Sequence, residues 1–238
     1  MTIAVVAIDL QYHFFGLSDG TIRATKAFCL PGVRRLLHCA REKAWKVVHV
    51  VTEHADQRTL PVHLVRRGAA PYCIAGSPGC ELVDGLFQQG DLKVRKCSYS
   101  GYLEADLMWH LDGSEVVLIC GVAADCCVLL TAFDAATRFK KRVFLPFEAV
   151  SSADRLGYVA GLRSIAKSAG AVLSIDVVRS AEPEAWWERR LRLENIEAAV
   201  GNWFDGQQAR VREMLDSHGG RFGGDIRAAV ADLEARLQ

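Results

Sequence analysis

The stretch Val116-Val117-Leu118-Ile119-Cys120-Gly121-Val122-Ala123-Ala124-Asp125-Cys126-Cys127-Val128 decides how the rest of the chain is read. It opens as a continuous apolar run, the pattern of a strand buried on both faces. It turns at Gly121 and restarts at Asp125 as a helix expected to run to about Phe139. A strand that passes through a tight turn into a helix is where α/β proteins place reactive groups. Here the residue entering the helix is a cysteine. First-turn N–H groups lack partners and the helix dipole is positive there. Both favour thiolate over thiol, which makes this cysteine a candidate nucleophile. Burial as an inert core residue is the competing explanation, because cysteine is among the most buried residue types. The choice rests on whether the chain also supplies a base and an orienting group.

Outward from that stretch, strands and helices alternate. Ile3 to Ile8 is an apolar, β-branched run ending at Asp9, and Lys46 to Thr52 is a second buried run. Leu92 to Lys96 is shorter and more polar, which suits a place nearer an edge. Arg142 to Leu145 and Ala171 to Val178 read as the last two strands. Helices are expected over Pro31–Lys43, Glu81–Phe87, Leu103–His110 and Arg155–Ser168. Such alternation implies a parallel sheet covered on both faces. The expected class is therefore α/β, a three-layer α/β/α sandwich around a six-stranded parallel sheet. Near Ala181-Glu182-Pro183 the text becomes charged and helical. One helix is expected around Trp186, Trp187, Leu191, Leu193 and Ile196, with a break at Gly201-Asn202. Two more are expected over Trp203–Leu215 and about Asp225–Leu237. Residues 1–180 are thus read as the main domain. Residues 181–238 are read as a helical extension packed on the core or on a neighbouring subunit, its tryptophans marking burial or an interface.

The totals narrow the function classes. The chain has 238 residues, 50% of them hydrophobic, enough for one full core. Its formal net charge is +1, from 29 basic and 28 acidic residues, so no global field attracts nucleic acid or an anionic membrane. No apolar run approaches the ~20 residues of a membrane span. The segment Met1 to Asp9 lacks a basic leader and reads as a first strand, so a cytoplasmic location is expected. Eight cysteines are scattered without CxxC pairs or zinc spacing, and reduced thiols are the expectation. Adjacent Cys126 and Cys127 meet disulfide geometry poorly.

Sites in an open parallel sheet lie at the C-terminal ends of the strands. Asp9 follows the first strand there, Lys96 the third and Cys127 the fourth. Each alone has a plain explanation: a turn cap, a solvated edge residue, a core thiol. Together they form a coherent set. A carboxylate can take the thiol proton and return it to a leaving amine. A buried ammonium beside both lowers the cost of placing a thiolate and a carboxylate in one pocket. The backbone N–H groups around Ala123 and Cys127 suit an oxyanion. The Gly76-Ser77-Pro78-Gly79 loop lacks the lysine of a phosphate cradle and reads as pocket wall. Arg66 and Arg67 are solvated residues or partners for a substrate carboxylate.

With these residues in place the chain resembles the isochorismatase-like cysteine hydrolase family, which includes nicotinamidases, N-carbamoylsarcosine amidases and ureidoacrylate amidohydrolases. The matching pieces are Ala7-Ile8-Asp9-Leu10-Gln11, then Gly76-Ser77-Pro78-Gly79-Cys80-Glu81-Leu82, then Lys96-Cys97-Ser98-Tyr99-Ser100-Gly101-Tyr102. Gly121 to Val128 and Glu148-Ala149-Val150-Ser151 complete the ordered set, over about residues 3 to 178. The resemblance implies Asp9 as general acid/base, Lys96 as its cationic partner and Cys127 as nucleophile. Cys127 is preferred to Cys126 because the family's nucleophile directly precedes a valine such as Val128. It also implies a cis bond between Val122 and Ala123, turning the Ala123 N–H toward the oxyanion. Metal-dependent nicotinamidases carry an Asp two residues before a His after the second strand. Here Thr52 holds that Asp position, ahead of Glu53 and His54, so no metal and no other cofactor is expected. His54 and His63 are then expected to be exposed loop residues. Glu148 stands where the family has Asp, and Tyr102 where it has Phe. Gln11, Phe14, Tyr102 and Arg66 are the expected substrate pocket. The implied activity is hydrolysis of a non-peptide carbon–nitrogen bond in a small amide, ureido or carbamoyl compound. Vinyl-ether hydrolysis of the isochorismatase type and a non-catalytic assembly role are the alternatives. The expected partners are a small-molecule substrate and further copies of the chain, with neither nucleic acid nor membrane.

Overall fold

The main sheet is built from β1 (Ile3–Ile8), β2 (Lys46–Thr52), β3 (Leu92–Lys96), β4 (Val116–Val122), β5 (Arg142–Pro146), β6 (Val150–Ser151) and β7 (Ala171–Leu173). The coordinates are a computed structural model that describes residues 1–15, 17, 18, 21, 22, 24–66, 71–217, 231 and 235. The strand order is β3-β2-β1-β4-β5-β7, with β6 paired to β4, and every pairing is parallel. All six residues of β1 and all seven of β4 are buried, as a central parallel pair requires. The more polar β3 is one of the two edge strands. Helices α1 (Leu30–Glu42), α2 (Ala105–His110), α3 (Cys127–Thr137), α4 (Arg155–Ser168), α5 (Ile175–Ser180) and α6 (Leu193–Ser217) flank the sheet. The molecule is an α/β protein.

The chain leaves β1 toward β2 and β3 on one side, and continues from β4 toward β5 and β7 on the other. That reversal opens a crevice between the carboxyl ends of β1 and β4. The two strands meet closely there. Gly121, paired with Ile8, has φ +109°, and a Cβ on it would stand 2.0 Å from the Ile8 carbonyl oxygen. Only glycine meets both conditions. Gly161 of α4 comes equally close to the turn after β4, where a Cβ would lie 2.4 Å from the Ala124 carbonyl.

Several expected elements differ. A seventh strand, Val150-Ser151, pairs with Gly121 and Val122 beyond the point where β5 leaves β4. The run from Ala171 is a strand only to Leu173. Ser174 then caps α5, its side chain accepting from the Asp176 N–H. A short apolar run does not tell strand from helix, and the serine was the missed boundary signal. Glu81 to Phe87 is not a helix; a single 3₁₀ turn, Pro78–Cys80, precedes it, and Gly85 bends at φ +75°.

After residue 180 the chain stays attached to the core. Trp186 is fully buried, its Nε1 donates to the Ala181 carbonyl at 3.0 Å, and Trp45 and Phe144 meet it edge-on at 5.7 and 5.4 Å. Helix α6 then runs unbroken through Gly201-Asn202, correcting the expected break. Gly201 marks a close approach: a Cβ there would lie 2.5 Å from the Arg155 guanidinium. Ile196, Val200 and Phe204 bury the inner face, which outweighs the ~1 kcal/mol cost of a helical glycine. The expected helix over 225–237 lies outside the described residues. Among the described residues no helix is long and apolar enough to cross a membrane.

Trp186→Ala should remove about 4 kcal/mol of stability, the cost of emptying a fully packed indole site. Urea denaturation should show a lower midpoint with an unchanged slope. A midpoint equal to that of the parent would mean that the indole contributes no packing.

Candidate active site

Three strand ends supply the centre of the site. Asp9 follows β1 in a left-handed conformation, φ +53°, and its N–H donates to the Val50 carbonyl at 2.8 Å. Asparagine and aspartate tolerate that region best among residues with a Cβ. The turn points a carboxylate that is 0% exposed at the end of β2. Its Oδ1 accepts from the Thr52 N–H at 3.1 Å and from the Thr52 hydroxyl at 2.8 Å. Its Oδ2 pairs with the Lys96 ammonium at 2.9 Å. Lys96 closes the edge strand β3, in register with Thr52. It is 1% exposed, and its Nζ also donates to Thr52 Oγ1 at 2.8 Å and to the Ser98 carbonyl at 3.1 Å. The same nitrogen lies 3.4 Å from the Cys127 sulfur.

Cys127 is the first residue of α3 and is 8% exposed. The peptide bond between Val122 and Ala123 is cis. The Ala123 carbonyl accepts from Cys126 and Val128, and Ala124 donates to the Ser151 carbonyl, which ties the turn to β6. Among the turn and cap hydrogen bonds of the described residues, none uses the N–H of Ala123 or Cys127. Two main-chain donors therefore remain at this turn.

The electrostatics depart from the expectation of a resting thiolate. Burial works against charge on Lys96, but the Asp9 carboxylate and the Cys127 sulfur outweigh it and hold the amine above its ordinary value. Cys127 shares a hydrogen bond with Cys126, and this contact, burial and the Asp9 charge push the Cys127 thiol up against the pull of Lys96. The pair of Asp9 and Lys96 is already neutral, so a further buried negative charge is disfavoured. The balance at Cys127 lies toward the neutral thiol.

The pocket residues expected from the sequence separate. The Gln11 amide is consumed: its nitrogen donates to the Thr52 and Cys80 carbonyls at 2.8 and 2.7 Å, and its oxygen accepts from the Thr52 N–H at 2.8 Å. It clamps the loop walls together and presents no polar atom to a ligand. Tyr102 stacks on Phe139 at 4.6 Å, past the far end of α3 from Cys127. Ten residues of helix separate those ends by about 15 Å, so Tyr102 is core packing. Arg66 is exposed at the end of the short helix Val62–Arg66, with no contact to the site among the described residues, and Arg67 lies outside them. Phe14 stands edge-on to Tyr72 at 6.3 Å. Tyr72 was not anticipated, since a lone tyrosine in a long loop carries no pattern. It is near enough to Cys127 and Lys96 for their charges to act on its phenol, which burial pushes up. His54 is fully buried against Tyr72, 5.1 Å between rings, and is not the exposed residue expected. Burial pushes its imidazole down, and the Lys96 charge acts in the same direction. His63 is exposed, with the Tyr99 hydroxyl 2.9 Å from its Nε2. Glu148 caps α5, accepting from the Ser174 hydroxyl at 2.6 Å and the Ile175 N–H at 2.9 Å.

The donors do not fit a metal ion. The Thr52 hydroxyl is committed to Asp9 and Lys96, and Glu53 turns away to Arg95 at 3.2 Å. Among the described residues no group of three His, Cys, Asp or Glu side chains is placed to hold one.

A doubly wound sheet with an acid, an amine and a thiol at its switch point defines an α/β protein with a cysteine-centred site. The comparisons name the class more closely. Residues 3–177 match the isochorismatase domain, and the chain belongs to the isochorismatase family of hydrolases. It is 33% identical over 144 residues, 56% of this chain and 71% of the relative, to a probable inactive nicotinamidase of Arabidopsis thaliana. Two solved amidases share the fold. N-carbamoylsarcosine amidase of Thermoplasma acidophilum is 23% identical with a TM-score of 0.61, covering 74% of this chain and 98% of that one. Nicotinamidase of Bacillus subtilis is 24% identical with a TM-score of 0.61, covering 72% and 99%.

Lys96→Met should cost about 3 kcal/mol, because Asp9 then stays buried without its counter-charge. The loss should be larger at pH 8 than at pH 5, since acid neutralises the abandoned carboxylate. Urea midpoints at the two pH values measure this; equal losses would show that the carboxylate is not buried as a charge.

Proposed function

We propose that the protein is a cysteine hydrolase that cleaves a non-peptide carbon–nitrogen bond in a small amide, ureido or carbamoyl compound. One observation carries the reading: a single buried ammonium touches both a carboxylate and a thiol, at 2.9 and 3.4 Å. Asp9 takes the Cys127 proton as the sulfur attacks the substrate carbonyl. The N–H groups of Ala123 and Cys127 receive the oxyanion. Asp9 then gives the proton to the leaving amine or ammonia, and an acyl group remains on the sulfur. Water attacks this thioester with Asp9 as base, and the proton returns to the departing sulfur with release of the acid. Lys96 stays protonated throughout and balances whichever of its two neighbours carries the negative charge. The family membership and the amidase fold neighbours support this chemistry.

A second reading has support of its own, because the relative in Arabidopsis thaliana is described as inactive. A non-catalytic protein would keep the fold without turnover. The vinyl-ether alternative needs the acid and the amine but not the thiol.

Ammonia release over a panel of amides, ureido acids and carbamoyl compounds should identify turnover, and Cys127→Ala should lower it by at least ~10³-fold. Undiminished ammonia release in that variant would remove the thiol from the mechanism; a vinyl-ether hydrolase would release no ammonia from any member of the panel and would act on a vinyl ether without needing Cys127. A parent protein that neither releases ammonia nor is labelled at Cys127 by a thiol-reactive amide would favour the non-catalytic reading.

A further inference from the structure

The two oxygens of Asp9 are not equivalent. Oδ1 accepts two hydrogen bonds, both from Thr52, at 3.1 Å from its N–H and 2.8 Å from its hydroxyl. Oδ2 has the Lys96 ammonium at 2.9 Å and no further hydrogen-bond partner. The direction of the hydroxyl follows from donor chemistry. An ammonium has no lone pair, so Thr52 Oγ1 must accept from Lys96 Nζ across their 2.8 Å contact. Its one hydrogen is then left for Asp9 Oδ1. Lys96 donates to Thr52, Thr52 donates to Asp9, and neither contact can run the other way while the amine and the carboxylate are both charged.

We propose that Thr52 is a positioning residue for the reaction described above, on which this inference rests. Its hydroxyl occupies Oδ1, leaving Oδ2 as the oxygen that takes the Cys127 proton, and it anchors the Lys96 ammonium where it touches both partners. When the S–H bond breaks, the proton passes to Oδ2 and the electron pair stays on sulfur to form the bond to the substrate carbon. A strand needs only a β-branched residue at this position, and valine would supply that shape. The hydroxyl is 96% withdrawn from solvent with its residue (4% exposed) and both of its partners belong to the candidate triad. Lys96 has three N–H groups for four neighbours, namely Asp9, Thr52, the Ser98 carbonyl and the Cys127 sulfur. The Thr52 contact thus helps decide where the ammonium sits relative to the sulfur.

The test is the pH dependence of Cys127 alkylation by iodoacetamide, read by tandem mass spectrometry that separates Cys126 from Cys127. Thr52→Val should slow alkylation about tenfold near neutral pH and move its midpoint upward by about one pH unit. Thr52→Ser, which restores the hydroxyl, should return both values close to those of the parent. Parent-like alkylation in Thr52→Val, or a Thr52→Ser variant as impaired as Thr52→Val, would overturn the proposal. Near-UV circular dichroism reports whether the valine variant keeps its packing. Should it misfold, Thr52→Ala provides the same comparison without the added methyl groups, with the same two outcomes. Alkylation requires no substrate, so an empty amide screen bears on the hydrolase reading and leaves this measurement decisive.

Discussion

A lysine ammonium held away from water between a carboxylate and a thiol is the constraint on which the site depends. Burying one charge alone costs several kcal/mol. Lys96 avoids that cost because Asp9, the Thr52 hydroxyl and the Ser98 carbonyl surround it with oxygen. The arrangement has a chemical consequence. The Cys126 contact, burial and the Asp9 charge hold the Cys127 thiol up against the pull of Lys96. In the proposed mechanism the sulfur attacks as its proton leaves, and Asp9, beside the ammonium, takes that proton.

The fold delivers these groups from three strands that are not consecutive in space. Asp9 and Cys127 come from the central pair β1 and β4, and Lys96 reaches in from the edge past β2. Aligned strand ends make this work: Ile8 is level with Val50 and Gly121, and Thr52 with Lys96. The glycine at 121 lets β1 and β4 close on each other at the crevice. Gly161 lets α4 press on the turn that leads into Cys127. Packing elements far from the chemistry thereby set the position of a sulfur and a carboxylate.

The scaffold and the three reactive side chains were legible because strands buried on both faces leave long apolar runs, and their ends are countable. Errors fell where local patterns are ambiguous. Ala171 to Val178 is apolar throughout, and only the cap at Ser174 divides strand from helix. Gly201 reads as a break until the Arg155 guanidinium is seen against it. The pocket was the least legible part. Gln11 and Tyr102 stand inside the matching motifs, yet one is spent on backbone hydrogen bonds and the other stacks on Phe139. Tyr72 and His54 meet at the site from separate loops that share no periodicity.

The alternation of strands and helices and the residues that follow β1, β3 and β4 are properties of the one-dimensional text, because burial period and turn residues act over a few positions. The family follows from the same ordered pieces. Only the folded chain shows the hydrogen bonds of Thr52 and Gln11, the stacking of Tyr102 and the surroundings of the Cys127 sulfur. Those depend on distances between groups far apart in the sequence. Such quantities exist only once distant segments share one dry, low-dielectric space.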